Sequence, residues 1–273
     1  MHAKRTFLAS SALALALSLT LGLAPAAPAA DADAPLFKFN GKDLTGFYTY
    51  LHDNKYEDPR GVFTVTDGVI RVSGEEWGGF NTREEYSDYH LIVEFKWGEK
   101  AWPPRAQNAR DCGVLVHCFG PDDAIGGHWM QSMECQMIEG GTGDLLVVSK
   151  PGGVPMSLSA EVRKKEDGEW YYEPDGSGEL RAFNSGRINW WGRSLKWKDA
   201  IGFRGEQDVE KPLGEWNLLE VICDGDTITN KLNGQVVNVG LKSSVTKGKI
   251  TFQSEGAEVF FRKIEIHALP KKK

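Results

Sequence analysis

The sequence predicts an all-β protein, a two-sheet antiparallel jelly-roll sandwich. Short runs rich in Val, Ile, Leu, Phe and Thr recur along the chain, each bounded by Gly, Asn, Asp or Pro. Some of the breaks read as tight hairpin turns, Thr66-Asp67-Gly68, Asp224-Gly225-Asp226 and Asn233-Gly234, where Gly or Asn accepts positive φ. No stretch holds an apolar period of about 3.6 residues for more than about three turns, so no long helix is expected. Many antiparallel strands without an internal repeat favour a sandwich over a propeller or a solenoid.

Lys4 and Arg5 precede an uncharged run from Phe7 to Leu23, and the small-residue stretch APAAPAA follows. That is the order of a secretory signal, so residues 1–30 are expected to be removed on export to the periplasm or beyond a bacterial cell. The run is short of the ~20 residues of a membrane helix, and no membrane span is expected in the mature chain. Residues 35–269 are read as a single β-sandwich domain and 270–273 as a basic tail. Thirty-two Lys+Arg against 38 Asp+Glu give a formal charge of -6, and cleavage removes two further positive charges. An acidic chain of this kind has no general attraction for phosphate backbones, so nucleic acid is not expected as a partner.

The strands follow in order. VFTVTDGVIRVSG forms the first hairpin, and HLIVEFKW places Leu91, Val93 and Phe95 on a core face and Glu94 on the other. The segment from Trp97 to Asp111, WGEKAWPPRAQNARD, is too rich in proline and charge for a strand and is read as a long functional loop. In GVLVHCF, alternation puts Gly113, Leu115 and His117 on one face and Cys112, Val114, Val116 and Cys118 on the other. In MECQMIE, Met133, Cys135 and Met137 take the core face, leaving Glu134 and Gln136 to meet water or a ligand. Cys112 and Cys118 would lie about 20 Å apart along such a strand, which excludes a disulfide between them. Buried free thiols are preferred for Cys112, Cys118, Cys135 and Cys223, with a bridge through Cys135 or Cys223 as the alternative.

If these strands are neighbours, Glu94, His117, Glu134 and Gln136 converge. A carboxylate beside an imidazole transfers protons near neutral pH or holds a divalent metal, and spacing does not choose between them. The competing interpretation is a solvated polar face. His128, in the glycine-flanked loop GGHWM, either swings into the same site or is a loop histidine without a role. Glu134 and Glu139 are an odd number of residues apart, so they face opposite ways, and hydrolysis by a pair of carboxylates on one strand is disfavoured. From Lys164 to Arg204 the chain carries Trp170, Tyr171, Tyr172, Trp190, Trp191 and Trp197 among Gly, Asn and Arg. These rings serve either as a surface that stacks on a sugar or as staples that pin long loops.

LFKFNGKDLTGF, VFTVTDGVIRVSGE, GGFNTREEYSDYHLIVEFKW, MECQMIEGGTGDLLVV, GEWNLLEVICDGDTITNKLNGQVVN and ITFQSEGAEVFFRKIEIH, taken in order, resemble the 3-keto-disaccharide hydrolase domain family from about Leu36 to His267. The resemblance implies a concanavalin A-like sandwich of the lectin/glucanase type. It also implies cleavage of glycosides whose sugar is oxidised to a ketone at carbon 3, making an oxidised (3-keto) sugar or glycoside the expected partner. The Glu-x-Gln pattern of the family's central strand matches Glu134 and Gln136, and its preceding acidic strand matches Glu94. Where the family's strand often ends in Arg within an Asn-Ser-Gly context, this chain has Asp111-Cys112-Gly113 and ends in His117. The resemblance thus offers His117 as base or metal ligand and Glu134 as metal ligand or proton carrier. Gln136 and Glu94 would hold sugar hydroxyls, and Arg187, Asn189 and Trp191 would form the rim. Gln253 and Arg262 also fall in matching segments. No cofactor is required beyond the option of a divalent metal. The alternative from another class is a non-catalytic carbohydrate-binding module.

Overall fold

The computed structural model describes residues 34–270; the expected export signal and the last three lysines of the tail lie outside the described residues. The described chain forms strands β1 (Phe37–Lys38), β2 (Phe47–Leu51), β3 (Phe63–Thr66), β4 (Val69–Val72), β5 (Gly78–Thr82) and β6 (Tyr89–Ala101). There follow β7 (Asp111–Phe119), β8 (Gln131–Ile138), β9 (Leu145–Val148), β10 (Leu158–Lys164), β11 (Trp170–Tyr172) and β12 (Glu179–Phe183). The last are β13 (Gly186–Ile188), β14 (Asn217–Asp224), β15 (Thr227–Leu232), β16 (Gln235–Gly240), β17 (Lys249–Ser254) and β18 (Ala257–Ala268). No helix occurs among the described residues.

Two antiparallel sheets make the sandwich. One runs β16-β15-β14-β6-β18-β4-β3 with β1 added to β18, and the other β13-β9-β8-β7-β17-β5-β2. A small sheet, β11-β10-β12, stands beside them. The three expected hairpins are present, with Asp67, Gly68, Gly225, Asn233 and Gly234 all at positive φ, the twist a two-residue connection needs. Leu91, Val93 and Phe95 face the core as alternation predicts, opposite Cys112, Val114, Met133, Cys135 and Met137. At one end of the core Phe80 stacks on Phe252 with centroids 4.7 Å apart, and Phe47 and Phe261 meet that pair edge-on. All four cysteines are buried and free.

Two local departures come from β-bulges. The first is in β6, which runs on to Ala101 although Trp97–Ala101 reads as loop. Its partner β18 pairs Val259 with Trp97 and Ala257 with Ala101, so four steps on β6 oppose two on β18. The irregular loop is therefore shorter, residues 102–110. The second is in β7. Against β17, Leu115 pairs with Thr251 and Cys118 with Lys249, three steps against two, and β8 shows the same mismatch. The extra residue is His117, at φ 54°, with the backbone of Gly248 packed so closely against it that a Cβ there would clash.

Candidate active site

The outward, polar face of the second sheet can be read off its register. On β8, β7, β17, β5 and β2 one row across the strands is Gln136, Gly113, Gln253, Gly79 and Tyr50. The next row is Glu134, Leu115, Thr251, Asn81 and Tyr48. The glycines form a floor between the polar side chains. A Cβ on Gly113 would collide with both Glu134 Oε1 and Gln253 Oε1, so the absence of that methyl lets the two oxygens converge above the strand. Gln253 Oε1 is buried and has no hydrogen-bond partner. Leu115, Cys118 and Met130 close the second row as a small apolar cluster under Trp129.

Asp111, at the start of β7, joins this face. Gln136 Nε2 donates to Asp111 Oδ1, and Arg105 Nη2 lies 3.0 Å from Asp111 Oδ2. Arg105 belongs to the loop 102–110 and also reaches Ala109 O at 3.0 Å and Asp199 Oδ1 at 3.1 Å. Asp199 in turn accepts from Asn108 Nδ2 at 2.7 Å and Ala109 N at 3.0 Å, tying the loop to the long segment after β13. From the other side Arg187 Nη1 donates to Asp144 Oδ2 at 2.6 Å, and Arg193 pairs with the same oxygen. Asp144 is fully buried and so anchors both guanidiniums.

The electrostatics set this patch apart. Burial, reinforced by the Asp111 charge and opposed by Arg187, pushes the Glu134 carboxyl up to about 8. Burial also raises Asp111 to about 7, with Arg105 and Arg187 holding it lower than burial alone would. Glu255, in the turn after β17, is driven well above the usual carboxylate range by burial and by Asp111 and Glu134. Burial thus favours the protonated form of both carboxyls, while Arg105 and Arg187 favour ionisation at Asp111. Two neighbouring carboxyls in different protonation states are the arrangement that acid-base chemistry requires.

The residues singled out from the sequence are distributed unevenly. Glu134, Gln136 and Arg187 come together in this patch. His117 does not: the bulge turns its ring into the core, 5.8 Å from the ring of the fully buried Tyr89, and places Cys118 on the outer face in its stead. Glu94 lies on the other sheet, since β6 pairs with β14 and β18, and its carboxylate is held by Arg262 on that sheet's outer surface. His128 sits apart from Glu134, its Nδ1 3.2 Å from His52 Nδ1 and its ring edge-on to Trp77 and Trp129. Asn189 is buried and joins β11 through its backbone, and Trp191 donates to Val236 O at 2.9 Å. The aromatic segment acts as staples: Trp190 is buried in the core, and Trp197 donates to Glu139 O at 2.9 Å with Arg193 over its ring at 4.0 Å.

The expected metal ligands do not fit a metal. His117 and Glu134 face opposite sides of their sheet, and among the described residues no three His, Cys, Asp or Glu side chains are grouped to hold one. Asp111, Arg105, Glu255 and Asp144 were missed. Asp111 lies two residues before Gly113 on the same alternation, so the strand pattern contained it. Arg105 and Glu255 sit in a loop and a turn, where no periodicity indicates direction.

The profile of the 3-keto-alpha-glucoside-1,2-lyase-like domain matches residues 35–267. A search of curated protein sequences returned no match. Among solved structures, the chain is similar to a candidate glycosyl hydrolase from Parabacteroides distasonis ATCC 8503, at 21% identity over 85% of this chain and 92% of that one, with a TM-score of 0.47. It is also similar to the Bacillus licheniformis β-glucanase, at 12% identity over 86% and 98% of the two chains and a TM-score of 0.45. The carbohydrate-binding module CBM66 of Bacillus subtilis matches at 8% identity over 82% and 96%, with a TM-score of 0.43.

Proposed function

We propose that this chain, which belongs to the 3-keto-alpha-glucoside-1,2-lyase-like domain family, cleaves 3-keto-glycosides by proton abstraction and elimination at Asp111 and Glu134. The observation that carries this reading is a pair of buried carboxyls on one face, Glu134 above the Gly113 floor and Asp111 held by Arg105 and Gln136, both raised by burial. A ketone at carbon 3 acidifies the hydrogen on carbon 2. Ionised Asp111 takes that proton, and the C–H electron pair becomes the enolate across carbons 2 and 3. Arg105 and Arg187, the cations beside Asp111, supply the positive charge that a developing enolate oxygen needs. The enolate then re-forms the ketone, the carbon 1–oxygen bond breaks, and protonated Glu134 gives its proton to the departing oxygen. The products are the alcohol and a sugar unsaturated between carbons 1 and 2, to which water adds at carbon 1 to complete a net hydrolysis.

Gln136 and Gln253 flank this pair, and the unpartnered Gln253 Oε1 is an acceptor for a sugar hydroxyl. No oxocarbenium ion is formed, so the route needs no pair of carboxylates on one strand. The same proposal includes export by the leader in residues 1–30, which N-terminal sequencing of the protein made in a bacterial host would test. The activity test is incubation with a 3-keto-glucoside and with its unoxidised parent. Release of the alcohol from the keto sugar alone is the expected result. Binding of both sugars without release from either would overturn it and leave a carbohydrate-binding module.

A further inference from the structure

Two histidines that the proposed reaction does not use meet at a depression of about 330 Å³ bordered by the end of β2 and the start of β5. His52 directly follows β2, His128 lies in the loop between β7 and β8, and their Nδ1 atoms are 3.2 Å apart. That separation suits two arrangements. One is a hydrogen bond, in which one ring's Nδ1–H donates to the other ring's Nδ1. The other is a shared ion: with metal–nitrogen bonds of about 2.0–2.1 Å at a tetrahedral angle, two ligating nitrogens stand about 3.3 Å apart. His128 Nε2 is buried without a partner in either arrangement and does not choose between them.

Three features of the surroundings belong to an ion site. First, both rings are presented by fixed turns. Glu76 accepts from Asp53 N at 2.7 Å and Asn54 N at 3.0 Å, and His52 N donates to Trp77 O at 2.8 Å, which holds the turn carrying His52. Ile125 and Trp129 exchange backbone bonds of 2.8 and 3.1 Å around His128, and Trp129 Nε1 donates to Gly78 O at 2.8 Å, pinning that loop to β5. Second, the backbone leaves room for the pair. Gly126 and Gly127 both have positive φ; a Cβ on Gly126 would clash with the His128 ring, and one on Gly127 would crowd the His52 ring at 3.0 Å. Third, the open end is acidic. His52, Asp53 and Glu75 are exposed where the depression meets solvent, and Asp53 Oδ1 lies 4.0 Å from His52 Nε2, on the side where a ligating imidazole carries its remaining N–H.

We propose that His52 Nδ1 and His128 Nδ1 chelate one divalent ion of the zinc and copper class, with water completing its shell, so that the ion clips the end of β2 to the β7–β8 loop. Imidazole nitrogens select such ions over calcium or magnesium, which take oxygen ligands. The site stands apart from Asp111 and Glu134, so its failure leaves the proposed reaction untouched. The test uses untagged protein and the variants His52→Ala, His128→Asn and His267→Ala, each titrated with Zn²⁺ by calorimetry. The wild type should bind one Zn²⁺ per chain. Affinity should fall at least tenfold in His52→Ala and His128→Asn and stay unchanged in His267→Ala, whose imidazole pairs with Glu265 on the other sheet. Because His52 is exposed, His52→Ala keeps the test valid where His128→Asn fails to fold. With one equivalent of Cu²⁺, electron paramagnetic resonance should show coupling to two nitrogens in the wild type and to no more than one in His52→Ala. Zn²⁺ should also raise the Tm of the wild type and not that of His52→Ala, since an ion held only by the folded state stabilises it. Binding that survives His52→Ala, or that weakens equally in His267→Ala, would overturn the site. Absence of Zn²⁺ binding by the wild type would overturn it as well and leave a hydrogen-bonded imidazole pair.

Discussion

The two ends of β7 treat polar side chains in opposite ways. At Asp111 the strand carries a carboxyl into a patch where burial raises it to about 7 and guanidiniums from the 102–110 loop and from β13 contact or approach it. Six residues on, the bulge turns His117 into the core beside Tyr89, and burial lowers it to about 4. Desolvation pushes both groups toward their neutral forms; against it His117 has the Val245 carbonyl and the more distant Asp88 charge, whereas Asp111 has two guanidiniums and a second buried carboxyl beside it. Desolvation by itself therefore does not mark a catalytic group. What distinguishes the patch is the conjunction of a second titrating carboxyl, nearby cations and a free acceptor on Gln253.

The sharpest way to break this comparison is Glu134→Gln, which keeps the shape and removes the proton. Turnover of a 3-keto-glucoside should fall by about 10²–10⁴, the range for loss of a general acid, with sugar binding retained. His117→Asn, which tolerates the positive φ, should stay within about threefold of the wild type per folded molecule. A large loss in His117→Asn with none in Glu134→Gln would invert the assignment. Next in size is Gly113→Ala. Its new methyl must displace Glu134 Oε1 and Gln253 Oε1, and a shift of about 1 Å in a reacting group costs about 10² in rate, so kcat should drop by that order. Circular dichroism and thermal melts would separate this from misfolding.

Much of the fold was legible because the sandwich obeys a period of two. Leu91, Val93 and Phe95, the MECQMIE strand and the three hairpins lie where alternation and turn chemistry put them. The candidate site was legible where a regular strand carried it, at Glu134 and Gln136 on β8 and Arg187 on β13. One extra residue at His117 reverses inside and outside for the remainder of β7, and a single His within an alternating apolar run is too common to announce a bulge. Glu94 failed for a different reason. Its outward direction was correct, but which sheet β6 enters depends on its long-range pairing with β14 and β18, which alternation within one strand does not contain. Arg105 and Glu255 required the loop and turn conformations themselves.

The pH profile sharpens the patch's own half of the comparison. Asp111 must be ionised to act as base, so kcat/KM should fall below about pH 7; Glu134 must be protonated to act as acid, so it should fall again above about pH 8. The expected bell is narrow, decreasing about tenfold per pH unit outside its limbs. In Glu134→Gln the residual activity should lose the alkaline limb and keep the acid one. An alkaline limb that persists in Glu134→Gln would show that another group is the acid.

The smallest effect is on stability, and there the two ends of β7 should oppose each other. Glu134 titrates near 8 in the fold against an ordinary carboxylate value of 4.5, so the folded state binds its proton more tightly. Its contribution is fully present below about pH 4.5 and is lost as pH rises through about 8. For His117 the folded value is depressed, from 6.5 to about 4. Its contribution is present above about pH 6.5 and is lost as pH falls through about 4. Each is worth on the order of 1–3 kcal/mol at its extreme, allowing for relaxation around a buried charge. Denaturant titrations from pH 4 to 9 should therefore show Glu134→Gln flattening the alkaline decline while leaving the acid one. His117→Asn should do the reverse on a lower baseline, because it leaves space beside Tyr89. If His117→Asn flattened the alkaline limb instead, the imidazole would have to titrate with the carboxyls, and the separation of core from cleft by the bulge would be wrong.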